Sequence, residues 1–403
     1  MDNTNNMTSM KTDAKISHWQ LFALLSIVAF FAVIVPLPDL LHATAKFGVA
    51  QGNVFSMSRF VTLSVSTAIM SAIFLPLLLY SAKYPDNVLA PLPKWLKKVF
   101  AAVLILRLLY GAVYTVLQIN SFLVQTILTY LTPVFLVIPI FAAALYGSYK
   151  GVQSTARIAS PAVFVCVLTV IALSLMMWSK MDVIQLYSPI GAARTEGGHT
   201  VFGRIVADVA GNDALFVFIA LSGVVRTRVD KEKDSVIKPQ SFKAVLYSFP
   251  LILVLALWLN VIYNAILGRY VSAVLYPLYV VSTYSSFNLL ERMDGIIATI
   301  VIIGGILKIT LFLICIRILL GETVSRELES RKPIAKIITL IMAVIAAVWA
   351  YALIGKEPLT TAPAVKYALL ACVAIAALLL PLIAVIFARR TKKNAQKHCT
   401  DTA

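Results

Sequence analysis

Charge is what this chain has least of. Only 13% of its 403 residues are Asp, Glu, Lys or Arg, about half the roughly 25% of an ordinary soluble domain. Acidic residues are the scarcer kind, 18 against 35 basic ones, for a net charge of +17. Cysteine and histidine number four each. Cys166, Cys315, Cys372 and Cys399 share no short spacing and three of them lie in apolar runs, which argues against a disulfide framework or a thiolate metal site. His18, His42, His199 and His398 are too scattered to form a ligand set. There is no G-x-x-x-x-G-K-[ST] phosphate loop, no H-E-x-x-H and no Ser/His/Asp or Cys/His grouping. Catalysis is therefore not expected, nor a metal or cofactor. Alternating β-barrel patterning is absent too.

What the chain has is hydrophobic sequence, 60% of it, in runs of about 20 residues repeated from end to end. No water-soluble core could hide so much apolar surface, and the pattern predicts an all-α polytopic membrane protein. Ten spans are expected, at about 17–42, 57–82, 95–126, 131–149, 155–178, 199–226, 240–267, 289–320, 334–354 and 361–388. They form one membrane domain over 16–390, between a polar tail at 1–15 and a basic tail at 391–403. No cleavable signal precedes the first run, which reads as a retained anchor.

Ten spans put both termini on one side. That side carries 23 basic residues against nine on the other, so both termini are expected in the cytoplasm. The imbalance explains most of the +17 by topology. Anionic lipid, not nucleic acid, is the expected contact of the Arg389–Lys397 tail.

Five spans precede the outer loop at 180–198 and five follow it, so the two halves (16–180 and 198–390) must run in opposite orientations. The third span of each half is the longest. The sixth span is interrupted near its middle by Gly211-Asn212-Asp213, and the matching first span ends in Val35-Pro36-Leu37-Pro38. Paired interruptions of this kind point to an inverted-repeat transporter scaffold with a mid-membrane site.

The candidate site residues follow from that break. Glycine permits non-helical backbone, and Asn and Asp favour caps and turns. Unwinding there frees backbone groups that persist in a bilayer only beside a cavity, a ligand or other protein. A half-helix beginning after Asp213 would aim its N-terminal dipole at a carboxylate; a kinked helix whose Asn and Asp bind a neighbouring span is the alternative. Ala29, Phe30, Ala32 and Val33 of the first span form a second wall, where Pro36 frees the carbonyl of Ala32. Lys308 lies inside the eighth span, where a lysine costs about 2.5–3.5 kcal/mol unless it faces the bundle interior with an acceptor. Its ammonium either stands in for a cation between the first and eighth spans or forms a structural pair. Arg107 is similar, with Asp208 and Asp213 as available partners. Tyr110, Gly111, Tyr114 and Gln118 make a polar stripe on the third span, fit to line a pocket or to hold neighbouring helices.

Several segments together resemble one family. Lys15-Ile16-Ser17-x-x-Gln20-Leu21, Thr132-Pro133, Tyr146, Lys150-Gly151 with Ala156-Arg157, and Asn288-Leu289-Leu290-Glu291-Arg292-Met293-Asp294 with Lys308-Ile309 are collinear with motifs of the spore germination receptor B-subunit family (GerAB-like). The resemblance implies the amino acid–polyamine–organocation superfamily and a five-plus-five inverted repeat of the leucine-transporter type. It implies a ligand-sensing subunit in the cell membrane of a spore-forming bacterium, partnered by an A-type membrane subunit and a C-type lipoprotein. It also implies a small germinant, commonly an amino acid, bound at Ala29–Val33, Tyr110, Tyr114, Gly211–Asp213 and the inner face around Thr299 and Ile303. A proton- or cation-coupled amino-acid transporter is the alternative on the same scaffold. The first span departs from the family in having no glycine, so that Phe30 or Phe31 narrows that wall.

Overall fold

The computed structural model describes residues 16–34, 57–83, 88–182 except 129 and 131, 209, 211–225, 241–268, 274, 276–284, 293–324, 332–354 and 363–387. Its first helix, α1 (His18–Ile34), starts on a reciprocal cap. The Ser17 N–H donates to Gln20 Oε1 at 2.9 Å, and the Gln20 N–H donates to Ser17 Oγ at 3.2 Å, which satisfies two amides that a helix start leaves orphaned. Just ahead of the cap, the Ile16 N–H donates to the Val224 carbonyl at 3.1 Å. That bond belongs to an isolated parallel bridge between Ile16 and Val225. The beginning of the first span is thereby tied to the end of the sixth. Ser17→Ala removes one half of the cap and is expected to cost about 0.5–2 kcal/mol, read as a lowered melting temperature of the detergent-solubilised protein.

The remaining helices are α2 (Met57–Lys83), α3 (Lys94–Thr126), α4 (Val134–Lys150), α5 (Val152–Met177), α6 (Ala214–Leu221), α7 (Ser241–Leu267), α8 (Asp294–Val324), α9 (Lys332–Leu353) and α10, which starts at Pro363–Ala374 and runs on through a π-helical turn at Ile375–Leu379. Described helix falls in each of the ten expected spans. Among the described residues, seven helices are long and apolar enough to cross a membrane, and the shorter apolar helices His18–Ile34, Val134–Lys150 and Ala214–Val224 fall in the other three spans. A short helix at Pro277–Thr283 lies between α7 and α8, where the hydropathy pattern predicts no element. Next to it, the Tyr276 hydroxyl meets Ser121 Oγ at 3.0 Å, which fastens this segment over the end of α3.

Burial ranks the helices. In α8, 72% of the most apolar window is buried, and in α3 61%, against 22% in α9. Thus α3 and α8 form the centre, and they make the most extensive helix pair. They are also the two longest described helices, as the sequence indicates for the third span of each half. Close approach along α8 depends on small residues. A Cβ added at Gly147 of α4 would stand 3.0 Å from the Thr310 side chain, and one at Gly305 would stand 2.7 Å from Ile119 Cγ1 of α3. Gly151 alone separates α4 from α5, and its φ of +89° is a conformation that other residues adopt only under strain.

Candidate functional site

The sixth span breaks where the sequence indicates. The Asn212 N–H turns back to the Val209 carbonyl at 3.3 Å, Gly211 and Asn212 leave the helix, and α6 restarts at Ala214. Two neighbouring polar residues divide the work of this restart. Asn212 caps it, its Oδ1 accepting the Ala214 N–H at 3.0 Å. Asp213 holds the N-cap position but makes no side-chain capping bond, because its carboxylate is turned elsewhere.

That carboxylate takes two cations from two other spans. Arg107 Nη2 of α3 is 2.8 Å from Asp213 Oδ1, and Lys308 Nζ of α8 is 2.8 Å from Oδ2. The side chains are 3% exposed for each cation and 8% for the acid. At these distances both contacts are charge-assisted hydrogen bonds, the stronger kind, and burial shields them from water and salt. The start of α6 is therefore clamped between the two central helices. Aromatic faces complete the cluster. Arg107 Cζ lies 5.0 Å from the Phe216 ring centroid and 5.8 Å from that of Tyr110. Lys308 Nζ lies 5.4 Å from the Phe31 ring centroid and 5.6 Å from that of Phe312. Gly111 makes room for all of this, since a Cβ there would stand 3.0 Å from Phe312 and 3.4 Å from both Arg107 and Asp213.

The structure thus brings Arg107, Gly111, Gly211, Asn212, Asp213 and Lys308 to one place. Tyr110 joins it through Arg107, while Tyr114 stacks on Tyr110 with ring centroids 6.0 Å apart. Tyr110 meets Trp349 of α9 edge-on, so this stripe helps to join α3 to α9. Asp208 lies outside the described residues.

The walls differ from the expectation in register. Phe30 points away from the break, into an apolar crevice with Val163, Cys166 and Val167 of α5 and Leu251, Ile252 and Leu255 of α7. Phe31 is what α1 brings to the cluster; Ala32 is exposed, and Ala29 and Val33 are half-buried. Thr299 and Ile303 do not lie on the inner face of α8. Both are exposed, and the Thr299 hydroxyl is spent on the Gly295 carbonyl at 2.8 Å. Thr299 is about two and a half turns from Lys308, hence on the opposite side of the helix. The inner face runs instead through Val301, Gly305, Lys308 and Phe312, all buried. Sequence reasoning misses Phe312 altogether and does not separate Phe31 from Phe30. Phe312 does carry a signal, since it stands four residues after Lys308 and so on the same face.

No family profile matches the sequence, and no curated protein sequence matches it. Among solved structures, a Na+-coupled sialic acid symporter in a substrate-bound outward-open state is similar. The likeness covers 91% of this chain and 80% of that one, with a TM-score of 0.61 and 11% sequence identity. At that identity it speaks for the fold, and the chain has it: an all-α integral membrane protein built as a transporter-like inverted repeat of the leucine-transporter type.

Proposed function

We propose that this chain is the ligand-sensing membrane subunit of a spore germinant receptor. It binds a small nutrient of the amino-acid class at the mid-membrane break and signals to an A-type membrane subunit and a C-type lipoprotein. The collinear motifs support the family. The observation that carries the mechanism is Asp213, which sits at the discontinuity and is clamped by cations from α3 and α8. A carrier driven by a dissociable cation must release that cation on the far side, whereas Lys308 is covalently tethered. Such a site suits a two-state switch, in which a ligand that favours one arrangement of α6 against α3 and α8 shifts the population toward it. The second reading, a cation- or proton-coupled amino-acid transporter, draws its support from the fold likeness to a symporter.

Proteoliposomes holding the purified chain separate the two. Labelled amino acids, offered with and without sodium or proton gradients, are expected to bind without net uptake. Robust substrate-dependent flux would overturn the sensor reading. In spores, Gly211→Leu should abolish the response to nutrient at normal protein abundance, because the leucine side chain fills the break. An unchanged response at normal abundance rules out a ligand at this place.

A further inference from the structure

The Lys308 ammonium is held by a particular set of groups. Asp213 Oδ2 is at 2.8 Å, and the faces of Phe31 and Phe312 lie 5.4 Å and 5.6 Å away at their centroids. One carboxylate and two aromatic faces are the chemistry that recognises an alkylammonium. The oxygen takes an N–H, and the ring quadrupoles attract a weakly hydrated positive charge. A hard metal cation asks for something else, a shell of several oxygens. Among the described residues, Asp213 supplies the oxygen that pairs with this ammonium.

We infer that Asp213, Phe31 and Phe312 form a primary-ammonium subsite that the chain fills with its own Lys308. A ligand engages it by placing its ammonium on Asp213 in place of Lys308. This rests on the ligand-binding role proposed above for the break and states which end of the ligand meets the carboxylate. The exchange conserves charge when both displaced groups find partners. The ligand ammonium takes Asp213 Oδ2, Arg107 remains bound to Oδ1, and the Lys308 ammonium that gives way pairs with the carboxylate of the same amino-acid ligand. Leaving a buried charge without its partner is strongly unfavourable, and this exchange leaves neither Asp213 nor Lys308 in that state. Phe31 belongs to α1 and Asp213 begins α6, so the occupant of this subsite touches both spans expected to be interrupted. Those spans are also joined by the bridge between Ile16 and Val225.

Lys308→Ala empties the subsite and removes what amounts to n-propylammonium. The full-length variant is purified in detergent and its thermal unfolding followed with no addition, and with propylammonium chloride, tetramethylammonium chloride or sodium chloride at equal concentration. Propylammonium is expected to restore most of the melting temperature lost relative to wild type, while the other two salts do not. Equal effects of all three salts, or none from propylammonium, overturn the inference. If the variant is recovered folded only when propylammonium is present during expression and purification, the inference is upheld; if it is recovered under neither condition, the inference fails. Adding Phe31→Leu should weaken the apparent affinity of Lys308→Ala for propylammonium at least several-fold, and unchanged affinity also counts against it. Rescue with no amino-acid response in wild type would leave the subsite standing and remove the nutrient-sensing proposal. An amino-acid response without rescue would do the reverse.

Discussion

Asp213→Asn is expected to destabilise this protein more than any other single change of similar size. The substitution preserves volume but leaves the Arg107 and Lys308 cations buried, 3% exposed each, without the anion they share. Breaking a buried ionic network by removing one member costs about 3–5 kcal/mol, and here one carboxylate serves two partners. Lys308→Met should cost less, because Arg107 and Asp213 remain as a matched pair. For the same reason, Asp213→Asn combined with Lys308→Met should lose less than the sum of its parts. Thermal unfolding of the solubilised proteins, followed by tryptophan fluorescence, tests the whole cycle. If Asp213→Asn melts with wild type, this cluster does not hold α6 between α3 and α8.

The second large effect is steric and carries its own control. Gly304 and Gly305 are neighbours on α8 but meet different surroundings. A Cβ at Gly305 would overlap Ile119 Cδ1 and stand 2.7 Å from Ile119 Cγ1 and 2.9 Å from Phe31, whereas at Gly304 its nearest neighbour would be Phe31 at 3.7 Å. Gly304→Ala should therefore be neutral or slightly stabilising, since alanine is the better helix former by about 1 kcal/mol. Gly305→Ala forces α1 or α3 away from α8, and overpacking of this kind costs about 1–3 kcal/mol. Ile119→Val in the Gly305→Ala background should recover part of that loss by removing the methyl in conflict. Equal melting temperatures for the two alanine variants would mean that α1, α3 and α8 do not meet at Gly305 as described. Because Phe31 also faces Lys308, the same displacement should loosen the ammonium subsite.

Much of the site is legible in the chain's own chemistry. The break at Gly211-Asn212-Asp213 stands out because a glycine and two turn-formers interrupt an otherwise apolar span. Lys308 and Arg107 stand out because ionised groups within a span need partners. Their shared partner is less visible. The sequence offers both Asp208 and Asp213 within one span and does not say that one carboxylate takes two cations. Rotation is less legible still. Phe30 and Phe31 are indistinguishable by composition, yet one residue is a rotation of about 100° about the helix axis, and this puts Phe30 against α5 and α7 and Phe31 over Lys308. Thr299 and Ile303 sit near Lys308 in sequence and at roughly the right depth for an inner wall, but depth does not set direction.

By itself, then, the sequence indicated which segments carry the long apolar helices and where the sixth span is interrupted, but not the short helix at Pro277–Thr283. A bilayer leaves the backbone few alternatives to bonding with itself, so length, hydropathy and turn chemistry suffice for those decisions. Tertiary structure decided which face of each helix looks inward, that Asp213 is the common anion, and that Phe31 and Phe312 enclose the lysine. Those outcomes depend on interlocking surfaces. Gly111, Gly147 and Gly305 let helices approach until particular side chains meet, and such complementarity is a property of pairs of helices that no single segment encodes.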